Sequence, residues 1–230
     1  LIPSIDFLLR HYKVNDFMTK DARENFSLKL IQLWPLIQLI LLGYCVYSVS
    51  NNTTIHLAEL ISMAAITGII TGSIGITFAH ELMHKKSNKE RWLADILMGL
   101  VLYGHFRSEH MLIHHRYVGT PRDAATAKYN ENFFKFLLRV IPSCFLSAWN
   151  EEKTRLDKSK MRVYSLKNPF WRYFGLALFF IGFAGSLGGT LGVIFFVIQA
   201  LVAIVHLELA NYIEHYRSEE HTSELQSPMY

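Results

Sequence analysis

The chain has 230 residues, 51% hydrophobic, 13% aromatic and only 18% charged, with a formal net charge of +4. A charged fraction below the roughly 25% of soluble domains excludes a disordered chain, a coiled coil and collagen, and points to a membrane protein. Cys45 and Cys144 make neither a disulfide framework nor a thiolate metal site, whereas eleven histidines crowd into short clusters.

Residues 30–49 form the first of four runs near the twenty residues that a helix needs to cross a bilayer. Gln32, Pro35 and Gln38 interrupt it, and Pro35 is expected to kink it. The second run, 57–79, carries one charge, Glu59, and a Gly68–Gly72 pair spaced for close helix packing. Residues 92–103 are apolar but too short to span, so they are expected at the interface or under the bundle. Residues 132–149 mix apolar side chains with Lys and Arg, as an interfacial helix does. The third and fourth runs, 170–187 and 191–210, flank a glycine-rich turn at 185–189. The expected fold is all-α, a multipass transmembrane bundle.

The link 50–56 has no Lys or Arg. Arg10, Lys13, Lys20, Arg23 and Lys29 precede the first run, and Lys85, Lys86, Lys89 and Arg91 follow the second. A dozen more basic residues fall within 105–168. The positive-inside rule makes these segments cytoplasmic and the tight turns external. The basic balance is thus a topology signal, and no motif supports a nucleic-acid partner.

The chain opens at Leu1 without a signal-peptide pattern, and its start is expected upstream. Arg217 to Ser227 read as the frame translation of a sequencing adapter. The native domain is therefore expected to be 1–216 and to continue past Tyr216, with 217–230 foreign. Without that tail, which holds one Arg and three Glu, the net charge becomes +6.

The second run leads into His80-Glu-Leu-Met-His84, whose i and i+4 imidazoles share a helix face and can ligate one cation. His110 and His114 repeat that spacing, while His115 is expected to turn well away, toward a second metal. His215 closes the fourth run's extension, and the topology brings all three clusters to the cytoplasmic surface. Glu81, Glu109 and Glu214 each adjoin a histidine and are candidates to orient it through its second N–H. His105 is expected to pack or to support a ligand. His206 and Glu208 form an ionisable pair near the inner end of the fourth run, either functional or bonded to each other across the helix. Imidazole-rich sites suit zinc, copper, iron or nickel. The first cluster alone matches the zinc-peptidase HExxH pattern, with Glu81 as base, but that leaves four motif histidines without a role.

HELMHK, YGHFRSEHMLIHHRYVGTPRDAAT and NYIEHY, in that order between about residues 57 and 216, resemble the membrane-bound alkane monooxygenases. These are relatives of the integral-membrane fatty acid desaturases and hydroxylases, including the xylene-type hydroxylases. The resemblance implies a non-haem di-iron centre with His80, His84, His110, His114, His115 and His215 as ligands. It also implies oxidation of the terminal methyl of an n-alkane with O2 and electrons from rubredoxin, in a lipid bilayer, on the cytoplasmic side of a bacterial inner membrane. Two positions depart from the pattern. Ile113 stands where the family usually has Gly, and Arg217 where Gly follows NYxEHY; a further histidine box is expected downstream.

Overall fold

A computed structural model describes residues 20–216, with side chains from residue 26 onward. Arg10, Lys13, the side chains of Lys20 and Arg23, and the tail 217–230 lie outside the described residues. The described elements are all helical. They are α1 (Lys20–Asn51), α2 (Leu57–Ile70), a π-helical turn (Thr71–Ile76), α3 (Thr77–Met83), α4 (Asn88–Leu100), α5 (Phe106–Glu109), a second π-helical turn (His110–His114), α6 (His115–Tyr117), α7 (Phe133–Lys158) and α8 (Phe170–His215).

Three helical stretches are long and apolar enough to cross a membrane: Phe26–Asn51, Leu57–Met83 and Phe170–His215. The chain is a membrane protein. At 1.5 Å per residue the 46-residue α8 would extend about 70 Å, more than twice the roughly 30 Å of a hydrocarbon core. It does not run straight. Gly189 takes φ 56° and ψ −145°, a conformation that only glycine adopts readily, and there the chain doubles back. A Cβ on Gly192 would stand 2.5 Å from the Ala184 carbonyl oxygen, so the returning arm lies against the outgoing one. The third and fourth predicted spans are these two arms.

Leu33, Leu36, Ile40, Tyr44 and Tyr47 follow one another at helical spacing on α1 and are 49–69% exposed, the stripe expected of a lipid-facing surface. α1 continues through Pro35. Its glutamines have inward partners: Gln38 is buried against Gly75 and accepts from Trp34 Nε1 at 2.8 Å, and Gln32 donates to Glu90 at 2.8 Å. The Gly68–Gly72 pair lets α2 close on the second arm of α8, Gly68 facing Gln199 and Val202, Gly72 facing Ala203 and His206.

Residues 92–103 pack beneath the bundle, with Leu97, Met98, Leu100 and Val101 buried. Gln199, fully buried, ties three elements by accepting from Thr71 Oγ1 and donating to the Leu100 carbonyl, each at 2.9 Å. In an apolar surrounding such bonds fix helix register as well as adding stability. α7 buries Phe136, Val140, Cys144, Ala148, Glu152 and Leu156 at every fourth position. Phe134 and Leu138 on its other side are 75% and 79% exposed, as suits a helix lying in the interface.

Candidate metal centre

α2, the first π-helical turn and α3 carry the chain to His80 and His84. Ser87 then caps α4, its Oγ accepting from Lys89 N at 3.2 Å, and the chain passes under the bundle before α5 returns it to the same end. There the second π-helical turn presents His110 and His114, with His115 next. The second arm of α8 supplies His215, and its end is anchored by Tyr212, which donates to the Glu131 carbonyl at 2.8 Å and packs on Phe133 and Phe136.

The three sequence clusters meet. His84 Nε2 lies 3.4 Å from His80 Nε2 and 3.3 Å from the Nε2 atoms of both His110 and His115. One imidazole nitrogen carries at most one proton, so hydrogen bonding cannot satisfy three such neighbours. A shared cation can. For metal–nitrogen bonds of about 2.0–2.1 Å, tetrahedral geometry sets ligand atoms about 3.3–3.4 Å apart. His80, His84 and His110 each offer a nitrogen within 4.8 Å of the others and could hold a metal ion. His114 and His215 meet beside them, with ring centroids 4.9 Å apart.

Within the second cluster the pairing differs from expectation. His115 does not turn away: its ring is 4.4 Å from that of His110 and its Nε2 joins the group around His84. His114 instead faces His215 and Asp123. The cause is the π-helical turn, whose i→i+5 repeat brings residue 115, rather than 114, round to the face of residue 110.

Burial keeps the inner imidazoles neutral. It lowers His110 to about 2, helped by the neighbouring histidines, and lowers the more exposed His115 as well. Neutral imidazole is the form that binds a cation.

The three glutamates have different surroundings. Glu81 forms an ion pair with Lys85 at 2.5 Å, and Glu214 is 70% exposed with its nearest oxygen 4.0 Å from His215 Nε2. Glu109 is completely buried, neither oxygen has a hydrogen-bond partner, and burial followed by repulsion from Asp123 and Glu208 raises it to about 8. An orphaned buried carboxyl next to His110 fits a site completed by a cation, whose charge would favour its ionised form.

The carboxylate that does orient a histidine is Asp123. Its Oδ2 lies 3.0 Å from His114 Nδ1 and accepts from Thr126 Oγ1 at 2.7 Å, while Oδ1 accepts from Ala125 N at 3.1 Å. Burial opposes ionisation, but the bonds from His114, Thr126 and Ala125 outweigh it and hold Asp123 below its ordinary value. An ionised Asp123 only accepts, so the proton sits on His114 Nδ1 and leaves Nε2 free. Sequence reasoning gave Asp123 no role; the signals were its place inside the YGHFRSEHMLIHHRYVGTPRDAAT segment and before the small residues Ala124, Ala125 and Thr126, where a loop can close tightly.

His105 packs between Tyr103 and Phe145, at ring distances of 4.5 and 5.2 Å, outside the cluster. His206 and Glu208 do not pair. His206 Nε2 lies 3.4 Å from Ser73 Oγ, while Glu208 accepts from Tyr103 Oη at 2.9 Å and Asn211 Nδ2 at 3.1 Å. Two residues apart on a helix, their side chains point in different directions.

The chain is similar in sequence to known proteins. The chain is 40% identical over 151 residues to alkane 1-monooxygenase 1 of Pseudomonas aeruginosa, covering 65% of this chain and 39% of that protein. It is 30% identical over 220 residues to alkane 1-monooxygenase 2 of Alcanivorax borkumensis, covering 94% and 57%. A third relative, the hydroxylase component of the xylene/toluene monooxygenase of Pseudomonas putida, is 26% identical over 211 residues, covering 87% and 55%. The chain thus spans between about two-fifths and three-fifths of the length of these relatives. The fatty acid desaturase family model matches residues 54–228, taking in the three histidine clusters and the helices that present them, and the chain belongs to the fatty acid desaturase family.

Proposed function

We propose that this chain is the metal-binding part of an alkane 1-monooxygenase, which hydroxylates the terminal methyl of an n-alkane using O2 and electrons from rubredoxin or a similar donor. The convergence of His80, His84, His110 and His115 on one point carries the reading. The alkane 1-monooxygenases among its relatives supply the substrate class. The four convergent imidazoles would hold one iron, and His114 with His215 would contribute to a second. Bound iron would supply the activation of O2 and the electron transfer that C–H oxidation needs.

The protein's own residues prepare the site. Burial holds the imidazole of His110 neutral, and Asp123 fixes the His114 tautomer. Basic segments at the same end, including Lys85, Lys86 and Lys89, support a site on the cytoplasmic face of a bacterial inner membrane and would offer an acidic electron donor a complementary surface.

The relative from xylene oxidation supports a second reading, a methylarene hydroxylase, and the family as a whole supports an acyl-lipid desaturase. A zinc peptidase fits less well. Its general base would be Glu81, which is tied to Lys85, and its HExxH pair would stand alone rather than face His110 and His115. Metal analysis of the full-length gene product, followed by product analysis with octane, an acyl lipid and p-xylene, tests the proposal. Iron with 1-octanol is expected; zinc in place of iron, or a product from another substrate alone, overturns it.

A further inference from the structure

A cavity of about 1050 Å³ opens between α4, α5 and the second π-helical turn, α7, the α7–α8 connection and the start of α8. Five cations line it: Arg91, Arg107, Arg155, Lys167 and Arg172. Two carboxylates answer them. Asp95, fully buried, meets Arg107 at 2.7 Å and Arg172 at 2.6 Å, and Glu152 meets Arg155 at 2.6 Å. The acids neutralise two charges and leave three. Glu152 is held in turn by Ser108, whose hydroxyl donates at 2.7 Å, so the guanidinium groups are braced from behind. Such a wall suits a phosphate, which takes several charge-assisted hydrogen bonds at once.

The mouth of the cavity says where that phosphate comes from. Trp92 stands at its edge, half-exposed, with the Arg172 guanidinium stacked 4.6 Å from the centre of its ring. Trp171, at the start of the membrane-crossing α8, is 47% exposed. The connection 159–169 joins Lys160, Arg162 and Lys167 to Tyr164 and Leu166, which are 72% and 91% exposed. Basic side chains among exposed aromatic and aliphatic ones mark the headgroup level of a membrane. Below the opening, the exposed Phe174 and Leu178 continue the apolar surface down the first arm of α8. We infer that this cavity binds the phosphate of an anionic membrane phospholipid, whose acyl chains lie along the first arm of α8.

The test uses the purified chain in detergent. Its thermal unfolding is followed with added phosphatidylglycerol, phosphatidylcholine or inorganic phosphate, and native mass spectrometry counts retained lipid. A ligand that binds the folded state raises Tm with its concentration. Phosphatidylglycerol should raise Tm and leave a bound-lipid peak, and neither of the other two should match it. Arg155→Gln/Lys167→Gln removes two cations from exposed positions. It should require roughly ten- to thirtyfold more phosphatidylglycerol for the same shift. Arg91→Gln, on the opposite wall, gives a second variant in which that weakening should recur. Equal shifts with phosphatidylcholine, or an unchanged response in both variants, overturn the site. A shift from inorganic phosphate equal to that from phosphatidylglycerol overturns the lipid as its source.

Discussion

His84 stands at the centre of the imidazole group, with three other Nε2 atoms 3.3–3.4 Å from its own. His84→Ala is expected to reduce iron in the full-length protein to background and abolish hydroxylation, as read by metal analysis and octane turnover. Asp123→Asn should be milder. Its amide oxygen can still accept from His114 Nδ1, but the charge is gone, and losses in such orienting carboxylates typically reach 10–100-fold in affinity or activity. Glu214→Gln should leave both close to wild type, because Glu214 is exposed and stands 4.0 Å from His215. A loss at Glu214 as large as that at Asp123 would contradict this assignment. His105 gives a separable pH effect. Burial lowers it to about 4, so between about pH 6.5 and 4 the unfolded chain holds a proton that the folded chain does not. Stability from this residue therefore falls as pH drops through that window, by about 2 kcal/mol at pH 5. In metal-free protein, His105→Phe should remove that part of the acid sensitivity in thermal unfolding at pH 7.5 and 5.

Helix packing makes equally specific demands. A Cβ on Gly68 would lie 2.5 Å from the Gln199 carbonyl oxygen and 2.6 Å from Val202 Cβ, leaving no room for a side chain between α2 and the second arm of α8. Gly68→Val should cost about 1–3 kcal/mol and lower Tm. Gly175→Ala has no neighbour within 4 Å and should be neutral or slightly stabilising, so the pair separates crowding from a general effect of replacing glycine. The membrane elements were legible because a bilayer demands near-continuous apolar runs, and turns such as 50–56 and 185–189 break them. Register inside the second histidine cluster was not. His-x-x-x-His-His places one histidine on the face of residue 110 whether the turn is α or π, and only the backbone decides which. Asp123 escaped for a similar reason, since its pairing with a histidine nine residues earlier depends on how a loop closes. The Glu81–Lys85 pair could have been read, because i, i+4 charges on a helix find each other.

Across the described residues, the doubled-back α8 turns three long helices into four segments of crossing length, and it is this even number that brings the histidines to one end. His84 ends the second crossing and His215 the fourth, and the His84 and His215 groups meet through His110, His114 and His115. An unbent α8 would carry His215 far from the pocket. The arrangement predicts which loops share a side. Residues 52–54 lie beyond the end of α1, and Gly188 packs against Val46 and Ser50 near that same end, so the first link and the α8 bend are neighbours. Lys158, at the end of α7, belongs to the opposite side, with the histidines. In a background lacking Cys45 and Cys144, Asn52→Cys and Thr190→Cys should react with a membrane-impermeant maleimide added outside intact cells. Lys158→Cys should react only after the cells are opened. Asn52 and Thr190 are exposed, so failure to label reports sidedness rather than burial. Labelling of Asn52→Cys and Thr190→Cys from opposite sides would mean an odd number of crossings, and the metal centre as described could not then assemble from both helices.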